Sequence, residues 1–468
     1  MLQFSWAKIR GKQIVKPEIQ RRTESYEPLL NGLVWMIVAS LVIKVGLEKQ
    51  LSLDGVHYFF QILENRDFFY VAWSRRYAEY LIEWPLVLAV KAGLQDIRLL
   101  SRIFGLGILL VYSFSIVYSW YLVRKVAPVV IVFPVASYLI IALTGDYWFV
   151  GEHHVMTALS WPLLFLLLKK APLRIHEWVL LLLIAGAFTR LYETSVLAII
   201  VFLGCLVFRF LKTEAKGHRA GFVLVGVLLI IGACISMQYI LFPVSGVNRG
   251  SFIDSIWRLE KIIELRFLGL ALVALFFGWF LEAVGQKKLA QITYWIAIVP
   301  IGMYVISRVT TDYALTAYWS FSSRTLTGIA LPLLLTCTIW AYYQKTQVSR
   351  LAVQIFFVAA TVFIFSNLVD QGNWLSVKAD MKKITEEAPE GTYIDVWDTR
   401  LKGNHFRFTW NNPLLSVVWS FPCVRVVILN SPNEAGWQPF DPKKKAILKN
   451  YIKYSKKFTN LTGEIQRC

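Results

Sequence analysis

The sequence predicts an all-α polytopic membrane protein of about eleven transmembrane helices, with a small α/β extracytoplasmic C-terminal domain. Two observations carry this expectation. Hydrophobic residues make up 56% of the 468-residue chain against 17% charged, with a mean hydropathy of +0.53, which is more apolar than a soluble globule, and they come in blocks near the ~20 residues that cross a bilayer core. Basic residues also concentrate in alternate connections between those blocks, as the positive-inside rule requires. A nuclease, a secreted disulfide domain and a soluble dehydrogenase are excluded. The net charge of +19 reports topology before it reports a ligand, and no nucleic-acid partner is expected.

The chain opens with a basic tail, residues 1–28, carrying Lys8, Arg10, Lys12, Lys16, Arg21 and Arg22. The apolar run that follows, 29–47, is too long for a cleaved signal peptide and reads as a retained anchor. A long outer loop, 48–102, comes next. Within it, residues 78–92 are apolar but carry Glu79, Glu83 and Lys91, so an interfacial or re-entrant helix fits better than a span. Further spans are expected near 103–123, 126–143, 155–168, 177–190, 194–211, 220–241, 267–284, 291–307, 325–343 and 352–369. With the N-terminus inside, the short cytoplasmic connections hold 13 basic and three acidic residues, while the loop 48–102 holds seven of each. That asymmetry gives an N-in, C-out membrane domain over 29–369.

Beyond it, residues 370–468 change character, with turn clusters at Pro389–Gly391 and Asn430–Asn433. Strand-like runs at 392–397 and 416–429 and a closing amphipathic helix through 443–457 predict the small α/β extracytoplasmic domain. Cys205, Cys234 and Cys337 lie in apolar runs as small hydrophobes, whereas Cys423 and Cys468 are placed to pair if this part is oxidised outside the cytoplasm.

Charge beside an apolar span is costly, so such positions are the first functional candidates. Asp54 opens the outer loop, with Tyr58 one helical turn on; it reads either as a general base at the membrane surface or as a cap on the helix 55–64. Arg75, Arg76 and Arg102 are outer-face arginines that topology does not require; a guanidinium suits a phosphate, or else pairs with Glu79, Glu83 and Asp96. A dense connector holds Asp146, Glu152, His153 and His154 between glycines. Its Glu-His-His run lacks the i, i+4 spacing of helical metal motifs. Arg190 and Glu193 interrupt an apolar run, where at i, i+3 they either neutralise each other or face a substrate, and Arg249 adds a further cation.

These features resemble the GT-C superfamily of membrane glycosyltransferases, which use polyprenyl-phosphate-linked sugars. The likeness lies in the basic N-tail, one span, and a long outer loop opening on an acidic motif, here Asp54, Gly55, Val56, His57 and Tyr58. It continues through Trp84-Pro85-Leu86, the run from Gly93 to Arg102, and the basic end of the second span at Arg124 and Lys125. It covers residues 1–210 in order of features and the rest in architecture. The resemblance implies a catalytic base at Asp54 and donor-phosphate ligands among Arg75, Arg76, Arg102, Arg190 and Arg249. It implies a polyprenyl-phosphate sugar as donor and a glycan, lipid or protein as acceptor, within the bilayer of a bacterial inner membrane. The paired acids of that family are not adjacent here, so Asp146 or Glu152 would supply the second carboxylate; no cofactor is assigned, and a divalent cation is the one that such a pair would admit. Two other classes remain open: a transporter or flippase for a lipid-linked or anionic solute, which calls for ionisable groups near mid-span, and a non-catalytic envelope scaffold.

Overall fold

The computed structural model describes residues 26–52, 54–143, 150–212, 216–242, 263–310, 318–344, 348–395, 398–399, 401, 412–421, 423–429 and 453–454. Asp146, Arg249 and Cys468 lie outside them. The described chain is overwhelmingly helical, and eight of its helical segments are long and apolar enough to cross a membrane.

Helix α1 (Glu27–Gly46) is the first of these. Two helices of the first loop follow, α2 (Asp54–Asn65) and α3 (Arg76–Lys91). Helix α4 (Ile97–Val123) starts where Asp96 accepts the backbone N–H groups of Arg98 and Leu99, an N-cap that spends this carboxylate locally. The next apolar segment, α5 (Pro128–Leu143), is composite. It begins as a 3-10 turn on Pro128, continues through a short α-helix and ends in a π-helical stretch, Tyr138–Leu143.

Helices α6 (Glu152–Leu168) and α7 (Ile175–Ala187) are shorter than a bilayer crossing, whereas α8 (Ser195–Lys212), α9 (Lys216–Leu241) and α10 (Ile263–Ala283) are long and apolar. The span expected at 291–307 is broken into α11 (Lys287–Ile296) and α12 (Ile298–Thr310). Pro300 accounts for the break, because it lacks an N–H and clashes with the turn before it. Helix α13 (Tyr318–Gln344) and the 38-residue α14 (Arg350–Glu387) complete the set. Helix α14 runs unbroken through residue 370, where the change of composition had placed a boundary.

After α14 the chain forms β1 (Thr392–Asp395), α15 (Asn412–Trp419), β2 (Cys423–Val424) and β3 (Val426–Leu429). Strands β1 and β3 are parallel, with Thr392 opposite Val426, and β2 pairs in parallel with β4 (Lys453–Tyr454). Two expectations are corrected. The run 416–429 is not one strand: its first part belongs to α15, where Leu414, Leu415, Val417 and Val418 are all buried behind Pro413 in the helix's first turn. The amphipathic helix expected over 443–457 is replaced at Lys453–Tyr454 by a strand, its other residues lying outside the described ones. Cys423 is disulfide-bonded, and Cys205, Cys234 and Cys337 are free.

Contacts between connections sort the two ends of the bundle. At one end Arg209 donates to the Ala171 carbonyl, Trp178 to His218, and both Tyr294 and the Ser349 backbone to Glu282, while the Phe208 and Tyr343 rings meet. The basic connections that follow α6, α8, α10 and α13 therefore share an end. At the other end Lys378 and Trp419 both reach Glu48, Trp374 donates to the Leu47 carbonyl, and Arg98 donates to the Phe421 carbonyl. This second end carries the first loop and the C-terminal strands together.

Candidate functional site

The first loop is folded back onto the bundle at two close approaches. A Cβ on Gly107 of α4 would lie 1.9 Å from the Ile82 carbonyl oxygen, so α3 packs on α4 at backbone distance. A Cβ on Gly55 would lie 1.8 Å from the Gln50 carbonyl and 2.8 Å from a methyl of Val150. The glycine after Asp54 thus lets the start of α2 abut the segment that leads into α6. Asp54 sits in the first turn of α2, half-buried, and Tyr58 one turn on is buried.

Around Tyr58 the structure gathers side chains from distant parts of the sequence. The Tyr58 hydroxyl donates to Glu152 Oε1 at 2.8 Å. Arg75 Nη1 lies 3.8 Å from Glu152 Oε2, and its Nε donates to Glu193 Oε1 at 2.7 Å. Ser74 Oγ donates to the same Glu193 oxygen, and the Arg75 guanidinium lies 5.0 Å from the Tyr192 ring. One buried arginine therefore bridges two carboxylates, from the start of α6 and the start of α8. His153 and His154 are buried beside them, with ring centroids 4.0 Å apart and His153 against Tyr192. The His154 ring is 6.4 Å from that of Tyr112. Tyr112 is past the middle of α4, ~22 Å along the helix from its start, so the cluster is recessed below the end of the bundle.

The electrostatics follow from this packing. Burial works against charge on Arg75, but Glu152 and Glu193 outweigh it and keep the guanidinium firmly protonated. Burial likewise opposes ionisation of Glu193, yet Arg75 prevails and holds its carboxyl below the usual range. Burial, with the Glu152 charge second, pushes the Tyr58 phenol well up. The two glutamates of α3 have no such partner. Burial and the Glu152 charge push Glu79 up to about 9, and burial and Glu79 push Glu83 well above the carboxylate range.

Several expectations are corrected here. Glu193 does not neutralise Arg190; it is held by Arg75. The Arg190 guanidinium instead stacks 3.4 Å above the Trp73 ring and 5.7 Å from Tyr77, and among the described residues no carboxylate reaches it. Glu79 and Glu83 do not pair with arginines, since they accept backbone N–H groups from Val71 and Phe69. Arg76 stacks on Tyr70 and Tyr80 and donates to the Tyr80 hydroxyl. Arg102 is exposed on α4, in one stripe with the exposed Leu99, Leu106 and Leu110, and makes no hydrogen bond or ion pair to the cluster among the described residues.

Sequence reasoning missed Lys44 and Lys49. Both are buried, Lys44 5.8 Å from the Tyr138 ring and Lys49 5.0 Å from that of Trp374. The available signal was a cation inside the last turn of an apolar span. Among the described residues no three acids, histidines or cysteines converge as metal ligands. Compared with protein-family models, curated proteins and solved structures, the chain gives no match.

Proposed function

We propose that the protein is a membrane glycosyltransferase that moves a sugar from a polyprenyl-phosphate donor to a cell-envelope acceptor on the extracytoplasmic face. The observation that carries this reading is Arg190, a guanidinium stacked on Trp73 with no acidic partner among the described residues, at the rim of a buried Tyr58–Glu152–Arg75–Glu193 cluster. Its planar edge can take two phosphate oxygens at once while the ring supports its face. In the reaction, an acceptor hydroxyl attacks the anomeric carbon, Asp54 takes its proton, and the bond to the phosphate oxygen breaks. Arg190 meets the charge that develops on the departing lipid phosphate. Glu152 is held by Tyr58 and Arg75 and shapes the field of the site.

The orientation belongs to the same reading. Eleven crossings, eight long helices with α5, α6 and α7 as short ones, bring the N-terminus to the basic, cytoplasmic end and the C-terminal strands to the other. A disulfide at Cys423 supports an oxidising compartment there. The depth of the cluster favours a second reading, a transporter or flippase for a lipid-linked anion, because recessed charges are what a translocation path needs.

One assay separates the two. Purified protein in vesicles is given a synthetic short-chain prenyl-phosphate sugar, and both sugar release from the phosphate and movement of intact donor across the vesicle wall are followed. Release that falls at least tenfold in Arg190→Lys and in Asp54→Asn supports transfer. Movement of intact donor without release would replace it with transport.

A further inference from the structure

The segment between α2 and α3 lies over the site in a way that neither transfer nor transport explains. It leaves α2 through Arg66, a non-glycine residue at φ 53°, and returns to α3 through the 3-10 turn Trp73–Arg75. Between these points its side chains meet α3 at the surface, Asp67 pairing with Lys91 at 2.9 Å and the Phe68 ring lying 4.4 Å from Tyr80, and two of its backbone N–H groups are held from beneath. Phe69 N donates to Glu83 Oε2 and Val71 N to Glu79 Oε1, each at 2.9 Å. The Phe69 ring in turn packs against His57 and Tyr58, with centroids 5.4 Å and 5.3 Å away. The segment is thus a strap from α3 across to the tyrosine that holds Glu152.

Glu79 and Glu83 lie one turn apart on the covered face of α3, both fully buried. Each uses one oxygen on the strap, while Glu79 Oε2 and Glu83 Oε1 are buried with no hydrogen-bond partner among the described residues. Two adjacent carboxylates in that setting are far costlier as anions than as neutral acids. The charged groups facing them do not offset this. Glu152 from α6 and Glu193 before α8 add negative charge, Asp54 and Tyr58 lie beyond on α2, and the Arg75 cation is divided between Glu152 and Glu193. Arg190, from the turn packed on α3, lies over Trp73 and Tyr77. Helix α4 presents Gly107 to Ile82, and its Arg98 and Arg102 are exposed.

We propose that residues 67–71 form a pH-sensitive strap over the site, held closed by Glu79 and Glu83 as neutral acids and released when this pair ionises. Ionisation draws water to the two orphaned oxygens, and water entering beneath the strap competes for the Phe69 and Val71 N–H groups. Phe69 then leaves Tyr58, and the hydroxyl that orients Glu152 loses its support. For an acid whose folded pKa is raised, the stabilisation is complete below the ordinary value near 4.3 and lost as pH rises through the folded value. With Glu79 at about 9, opening belongs between pH 7 and 10. The proposal concerns the strap alone and holds whether the site transfers or transports.

The test is amide hydrogen exchange of the purified full chain in nanodiscs, read on peptides covering residues 66–73 and divided by intrinsic rates at each pH. Wild-type protein should lose at least tenfold of its protection there between pH 7 and 10, with peptides from α4 unchanged. Glu79→Gln with Glu83→Gln, which mimics the neutral acids and still accepts both N–H groups, should keep its protection at pH 10. If that variant does not fold, infrared difference spectra of the wild type give the answer: a buried protonated-carboxyl band should vanish over the same pH range as the protection. Constant wild-type protection, equal loss in the glutamine variant, or opening with no change in the carboxyl band would each overturn the proposal.

Discussion

Replacing Arg75 by glutamine is the most informative single change, because the bridge it makes has a calculable cost with a sign that depends on pH. The substitution leaves Glu193 and Glu152 buried without their cation. Breaking a buried pair by removing one partner costs about 3–5 kcal/mol. Ser74 still donates to Glu193 and Tyr58 to Glu152, which places the loss near the low end, about 3 kcal/mol, or roughly a hundredfold in the unfolding constant. Glu193 is held below the usual carboxylate range by Arg75, so its contribution is present above the ordinary value near 4.3 and disappears as pH falls through the lower folded value. In the variant the same carboxyl, buried without a cation, takes up a proton sooner. The gap between the two proteins should therefore be widest at pH 7 and narrow toward pH 4. Reversible unfolding titrations in mixed micelles measure it, since thermal scans of large membrane proteins are commonly irreversible. A gap under about 1 kcal/mol at pH 7, far below the buried-pair cost, or one that stays constant to pH 4, would refute the bridging role.

Four further outcomes are expected. Asp54→Asn should lower sugar transfer on the order of 10²-fold with expression intact, whereas the control Glu64→Gln should leave it unchanged; equal activity in both returns Asp54 to a helix-end role. Tyr58→Phe, which removes the 2.8 Å bond to Glu152, should cost about 1.5–3 kcal/mol in the same titrations, and additivity with Glu152→Gln in a double-mutant cycle would show that the bond contributes nothing. Gly107→Val should force α3 from α4, because even a Cβ would meet the Ile82 carbonyl at 1.9 Å, and it is read as loss of folded protein on size exclusion; a normal profile would mean the approach is not required. Single cysteines at the exposed positions Gly93 and Glu386 should react with an impermeant maleimide in intact cells, while one at Gly217 should react only after permeabilisation; the reverse pattern inverts the topology.

Much of the helical frame was legible in the chain itself, because apolar blocks near bilayer length have few alternatives to helix. What failed was local. Periodicity alone could not separate a buried strand from a buried helix over Leu414–Trp419, a short run that is apolar apart from Ser416. The break at Ala297 needed Pro300 to be weighed against an otherwise unbroken hydropathy profile. Of the candidate residues, Tyr58, Arg75, Glu152, His153, His154 and Glu193 come together in the structure, but their partnerships were not legible. Arg190 and Glu193 are three apart and look paired, yet Glu193 joins Arg75, 118 positions away in sequence, because the turn after α7 points the two side chains at different neighbours. Nothing in the one-dimensional pattern marks Glu79 and Glu83 as buried, since acids on an amphipathic helix ordinarily face water. They are buried on the side of α3 that carries the 67–71 segment, whose Phe69 and Val71 N–H groups they accept.

The junction at Glu48 also bears on how the chain is made. Lys378 and Trp419, which both reach that carboxylate, are 330 and 371 residues downstream of it. A ribosome adding roughly 5–20 residues per second delivers them tens of seconds after the first loop has been made. Through that interval Glu48 has neither contact, and the start of the first loop lacks its tie to α14 and α15. The junction at Glu48 is therefore completed only after every intervening helix has been made, whereas the contacts among Tyr58, Arg75, Glu152 and Glu193 need no residue beyond Glu193. A chain cut short before Lys378 would insert most of its helices and still lack this tie at the start of its first loop.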